Sequence, residues 1–188
     1  MTFSCKVENA RIERFVWIVH NRNWIWNPMD LKALYYIDFS DSSNKMRFAT
    51  LKRKSISYDY YITFAPDSLR NLIVKNLYTR KFPDCFSFNN SLPNVYDGLD
   101  YCIIFKFNNQ SEQIINYNPT TIPDSLRRFT EYLENLVNLN SYSMIDSFDR
   151  ISLINKYRDN IIKCGPLAPP PVPEDKKIHY MTPIIEKK

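Results

Sequence analysis

The side chains that could carry acid–base, nucleophilic or metal chemistry are few and scattered in this chain. It has two histidines, His20 and His179, separated by most of its 188 residues. A histidine-based zinc site would need both of them together with carboxylates. Instead, His20 reads as a strand end and His179 as part of a tail. The four cysteines, Cys5, Cys85, Cys102 and Cys164, form no C-x-x-C pair, which argues against a zinc ribbon or a thioredoxin-type site. Cys102 stands in an apolar run and reads as a small packed hydrophobe. Nothing in the cysteine spacing marks a disulfide scaffold. Triads are recognised by geometry in space, so the abundance of Ser and Asp nominates none here. Glu131 with Glu134, preceded by Arg127 and Arg128, and Asp146 with Asp149 read as solvated surface charges.

Glycine sets a firmer limit. Only 2 glycines occur, Gly98 and Gly165, against a usual share of roughly 7%. A Gly-rich phosphate loop needs backbone that approaches the phosphate without a Cβ, so neither G-x-G-x-x-G nor G-x-x-x-x-G-K exists here. The G-x-S-x-G nucleophile elbow is missing for the same reason. The expected protein is therefore one without a cofactor and without metal.

Two clusters suit binding better than chemistry. Trp24 and Trp26, in Asn-Trp-Ile-Trp-Asn-Pro, lie two residues apart in a turn-like segment, where aromatics anchor protein interfaces. Tyr61 is read as an exposed aromatic on a strand and joins them as a partner-binding candidate. Lys45, Arg47, Lys52, Arg53 and Lys54 form the densest basic run. Basic residues interleaved with tyrosine fit a single-stranded nucleic-acid surface. The plainer reading of the run is a solvated strand end and turn.

These residues need a scaffold, and composition allows one sizeable core. Hydrophobic residues make up 44% and charged residues 24%, with a net charge of +5, so the chain is not of the disordered type. Strands are expected over Arg11–His20, Leu34–Phe39, Met46–Leu51, Ile56–Phe64, Tyr101–Phe107 and Gln113–Tyr117. Asp41–Asn44 is a polar turn between the second and third. Ile56–Phe64 alternates, with Ile56, Tyr58, Tyr60, Ile62 and Phe64 on one side and Ser57, Asp59, Tyr61 and Thr63 on the other. Helices are expected after Pro66, after Pro123 and over Ser152–Lys163, the last closed by Gly165-Pro166.

The pentapeptide Pro-Asp-Ser-Leu-Arg opens both of the first two helices, at Pro66–Arg70 and Pro123–Arg127. It marks either a duplicated strand–helix unit or two independent helix starts obeying one rule. Divergence beyond it, with Val74 against Glu131 and Asn76 against Leu133, favours independent starts.

The expected fold is α+β: an antiparallel sheet built from hairpins, with two or three helices packed on one face and a helix-free face open to a partner. Residues 1–164 form the domain. Residues 165–188 form a Pro-rich C-terminal arm, because four prolines within Pro169–Pro173 favour extended geometry. The arm reads as a stiff spacer or docked strap, and secondarily as an SH3-type ligand. The N-terminus has no basic region followed by an apolar core, and Phe15–Val19 is too short to span a bilayer. The expected setting is the cytoplasm, without membrane contact.

Three functions follow in order. The first is a non-catalytic protein-binding module, concretely a bacterial immunity- or inhibitor-type protein that occludes a partner with an acidic surface. The second is a nucleic-acid binder using the basic 45–54 region. The third is an enzyme with a dispersed site. Oligomeric state has no sequence signature here.

Overall fold

The computed structural model describes residues 10–21, 33–52, 57–78, 80–86, 99–108, 110–117, 122–137 and 142–163. In chain order the elements are β1 (Ile12–Asn21), β2 (Ala33–Ser40), β3 (Lys45–Lys52), β4 (Ser57–Phe64), α1 (Asp67–Ile73), β5 (Leu99–Phe107), β6 (Gln113–Tyr117), α2 (Asp124–Val137), β7 (Ser143–Ile145) and α3 (Ile151–Lys163). A π-helical turn, Val74–Tyr78, extends α1. The described strands form one antiparallel sheet in the order β6-β5-β1-β2-β3-β4-β7. The fold is α+β, as the sequence predicts. The proposed Pro-rich arm and the Trp24–Trp26 segment lie outside the described residues.

The expected polar turn is present and fastened at several points. Asn44 takes the left-handed conformation at φ 47°, which asparagine tolerates better than most residues. The Asp41 carboxylate accepts the Ile12 amide at 2.7 Å, and the Asp41 amide donates to the Ile12 carbonyl at 2.9 Å. Arg70 of α1 reaches the same carboxylate at 3.3 Å and the Ala10 carbonyl at 3.1 Å. One short turn thus joins the β2–β3 hairpin to the start of β1 and to α1.

The repeated pentapeptide builds the same helix start twice. The amides of Leu69 and Arg70 donate to the Pro66 carbonyl, and those of Leu126 and Arg127 donate to the Pro123 carbonyl. Pro66 sits one position before the helix, with extended backbone, rather than at the first helical position. Leu69 and Leu126 each enter the core. The hairpins β3–β4 and β5–β6 feed α1 and α2 from different sides of the sheet onto one face. The copies part at Val74, where the π turn begins. The wider turn buries Val74, Asn76 and Leu77, and the Asn76 side chain donates to the Leu72 carbonyl at 2.8 Å.

Both sheet faces are covered, but unequally. On one face, α1, its π turn and α2 pack on Phe15, Trp17, Ile37, Phe48, Ile103 and Phe105. Tyr117 and Thr130 are hydrogen-bonded through their hydroxyls at 2.7 Å, and Tyr101 donates to Glu134 at 2.6 Å, fixing the rotation of α2. On the other face, α3 lays Ile154, Tyr157 and Ile161 against a smaller cluster including Val16, Ile18, Tyr36, Cys102 and Ile104. The helix-free face expected from the sequence is therefore not open at its centre. The cause is visible in β1 and β5: residues 15–20 and 101–105 are buried consecutively, so these strands need cover on both sides.

The start of α3 is held by Asp149, whose carboxylate accepts the Ser152 amide at 3.1 Å. Hydrogen bonds from the Ser152 amide, then from its side chain, hold the Asp149 pKa below the ordinary carboxylate value. A carboxylate with a depressed folded pKa stabilises the fold above its unfolded pKa and loses that contribution as pH falls through the folded value. Asp149→Ala is therefore expected to lower the thermal midpoint at neutral pH, and the deficit shrinks toward acid pH. Equal deficits at pH 7 and at about pH 2 would remove the capping role.

Candidate interaction surface

The nearest approach to a catalytic constellation lies under the α3 side of the sheet. His20 and Asp100 face each other across β1 and β5, and Cys102 lies two residues further along the same face. His20 and Asp100 are buried, and Cys102 is fully enclosed. Burial pushes the Cys102 thiol far above its ordinary pKa. A thiol kept protonated and out of reach of solvent is not an activated nucleophile. Among the described residues no group of three or more His, Cys, Asp or Glu side chains could hold a metal ion. His179 lies outside them.

The basic run does not make one surface. Lys45 and Arg47 share a sheet face with Ile62 and Phe64, whereas Lys52 lies on the opposite face with Asp59. Arg47 binds Asp38 through two nitrogens, at 3.1 and 2.5 Å, and its guanidinium lies 5.3 Å from the Phe148 ring centre. Lys52 pairs with Asp59 at 2.6 Å. Lys45 and Lys52 stand at the two ends of β3, about 23 Å apart. Two of the three described cations are thus engaged by carboxylates. Arg53 and Lys54 lie outside the described residues.

Tyr61 is half-buried rather than exposed. Its ring stacks on Phe48, with centroids 4.7 Å apart and planes at 14°. The alternation of β4 is present, but both of its sides pack: Tyr61 joins the larger core, and Tyr58 and Tyr60 join the smaller one. Trp24 and Trp26 lie outside the described residues. The strand ends flanking their segment, Asn21 and Ala33, stand at the same end of the sheet as Lys52 and Ser57.

The two lateral edges of the sheet differ. Beyond β6, the Phe86 amide donates to the Asn116 carbonyl at 3.0 Å, and the Asn116 amide donates to the Asp84 carbonyl at 2.9 Å. That edge is occupied. At the other edge, β7 pairs with β4 only across Tyr60–Ile62, and among the described residues no strand pairs with its outer side. The large hydrophobics that stand out of the described surface are Phe64, 72% exposed, Met144, 64%, and Ile151, 59%, and the first two belong to the strands of this edge. Phe64 ends β4. Met144 is the middle residue of β7. Ile151 starts α3, just after Phe148, which packs on Tyr60, and Arg150, which packs on Tyr58, six residues along β4 from Phe64.

No family model, curated protein or solved structure matches this chain. The edge must therefore be read from its own chemistry. An unpaired strand edge offers backbone donors and acceptors to an incoming extended segment. Met144 lies opposite Tyr61 on the α2 side, while Phe64 lies on the α3 side with Tyr60 and Ile62. Apolar anchors thus flank the edge from both faces.

Sequence reasoning missed this surface. A three-residue strand carries no period, so Ser143–Ile145 gives no strand signal. Phe64 shows the right alternation, but nothing local reveals that α3 leaves that end of β4 uncovered.

Proposed function

We propose that this protein is a non-catalytic protein-binding module of the immunity or inhibitor type, and that it engages its partner through the β4–β7 edge. The observation that carries this reading is the coincidence of a strand edge that no described strand covers with Phe64 and Met144, both large, apolar and exposed. Exposed apolar groups gathered around unpaired backbone mark interaction sites on soluble domains. A net charge of +5 favours a partner surface rich in carboxylates. Occlusion of the partner's own site would be the mode of action, and Trp24 and Trp26 are candidates for a second contact.

The nucleic-acid reading has less support, because Arg47 and Lys52 are carboxylate-paired and face opposite ways. Among the described residues no helix is long and apolar enough to cross a membrane.

The test is affinity purification from the native host with two baits, the full chain and its Phe64→Asp/Met144→Asp variant. The full chain is expected to retain a protein in stoichiometric amount that the variant loses. A protein retained equally by both baits, or none retained by either, contradicts the reading. Titration with single- and double-stranded oligonucleotides at two salt concentrations separates the alternative, since phosphate binding weakens steeply with salt.

A further inference from the structure

Arg150 is the one buried arginine among the described residues, at 8% exposure. Its guanidinium carbon lies 3.4 Å from the centre of the Tyr58 ring. Its Nε is enclosed and has no hydrogen-bond partner. We propose that Arg150, laid on Tyr58, is an oxyanion-binding group that takes the phosphate or carboxylate of a ligand.

The other arginines show what Arg150 lacks. Arg14, Arg47, Arg70 and Arg127 each pair with a carboxylate, on Glu112, Asp38, Asp41 and Asp124 respectively. Arg11, Arg80 and Arg128 are exposed, and Arg158 is half-buried, so water reaches their charge. Arg150 is shut off from most water, and among the described residues no carboxylate pairs with it. The carboxylates nearest to the pair in sequence are committed elsewhere. Asp149 caps α3, accepting the amides of Ser152 and Ile151. Asp59, next to Tyr58 on β4, lies on the opposite sheet face and pairs with Lys52 at 2.6 Å. A guanidinium stays charged in proteins, and burying a charge without a counter-ion is costly. The face of the tyrosine ring offsets only part of that cost.

The stack also fixes what the group can bind. A guanidinium is planar, and its N–H groups point outward in that plane. This fork matches two oxygens of a carboxylate or phosphate. Packing on Tyr58 orders the fork beforehand, so binding costs less side-chain freedom. The group lies close beneath the surface, since Asp149 and Ile151 on either side of it and Ser57 beside Tyr58 are exposed. The helix terminus is not itself the site, because its first amides already go to Asp149. Tyr58 stands six residues along β4 from Phe64, about 20 Å. The inference therefore stands apart from the proposed partner edge and does not rest on it.

The experiment titrates the full chain with sodium phosphate and, separately, with sodium acetate, at constant ionic strength set with sodium chloride. Nitrogen-15 spectra follow the arginine Nε–Hε signals, and thermal unfolding is read at each concentration. The Arg150 signal is expected to shift saturably with at least one of the two anions. The Arg47 signal should stay in place, because its Nε already donates to Asp38. The thermal midpoint should rise with the same anion, as it does for a ligand that binds only the folded chain. In Arg150→Met, which keeps an apolar stem on Tyr58, that rise should be lost. In Arg150→Lys it should weaken, because the charge remains and the planar fork does not. A response to phosphate alone assigns a phosphate ligand, and a response to acetate assigns a carboxylate. No saturable Arg150 shift with either anion, or an equal midpoint rise in the parent and in Arg150→Met, would overturn the proposal.

Discussion

Phe129→Ala is expected to lower the unfolding free energy by about 3 to 5 kcal/mol. Phe129 lies on the buried face of α2 and is 1% exposed. Its ring meets Phe15 of central strand β1 edge-on, with centroids 5.9 Å apart at 61°. Truncation removes the transfer energy of the ring, the aromatic contact and the packing of the residues around the void. The surrounding large side chains, Trp17, Phe48 and Phe105, belong to different strands and cannot close a cavity together without moving the sheet. Domains of this size are stable by about 5 to 15 kcal/mol, so the variant approaches the limit of folding. Urea denaturation reads the effect as a lower midpoint at unchanged slope. Glu131→Ala, two residues on and exposed, is the matched control, with a change within about 0.5 kcal/mol. A Phe129→Ala cost below about 1 kcal/mol would mean that α2 is not docked by this face.

The Phe64→Asp/Met144→Asp variant is expected to lose at least about 30-fold in affinity for the partner, equivalent to about 2 kcal/mol, the usual threshold for an interface hot spot. Its stability should stay close to that of the parent. Both side chains project mainly into solvent, at 72% and 64% exposure, so replacing them disturbs little packing. In a complex, each aspartate would lose its hydration against an apolar surface, which is costly when no cation receives it. Isothermal titration with the isolated partner gives the affinity, and denaturation gives the stability. Equal affinity for variant and parent would remove the edge as the contact. A loss of binding accompanied by unfolding would place these residues in the core instead.

The sequence predicts six of the strands and all three helices because their signals are local. β4 alternates, β2 and β3 flank a polar turn, and Pro66 and Pro123 open helices in the way their backbone restriction favours. Three matters depend on what meets what across the sheet. The pairing of β1 with both β2 and β5 makes the centre of the sheet apolar on both sides, and α3 then fills the second face. The runs Phe15-Val-Trp-Ile-Val19 and Cys102-Ile-Ile-Phe105 carry that information, since a strand with one wet face would alternate. The edge is less legible. β7 exists because Tyr60–Ile62 offer it a ladder, and Met144 is exposed because β7 ends the sheet. Neither fact is written in the residues 143–145 themselves. The charges show the same dependence. Lys45, Arg47 and Lys52 look like one cluster in one dimension, but the two-residue period of β3 sends Lys52 to the other face.

The most direct measurement is hydrogen–deuterium exchange of the backbone amides, in the free protein and in complex with the partner that the full chain retains. Amides of Ser143–Ile145, at the open end of the sheet, are expected to exchange quickly when free and to slow markedly in the complex, with Phe64 following them. Amides of β6, already covered by residues 84–86, should not change. Protection appearing elsewhere while Ser143–Ile145 continues to exchange at its free rate would contradict the assignment of this edge as the binding surface.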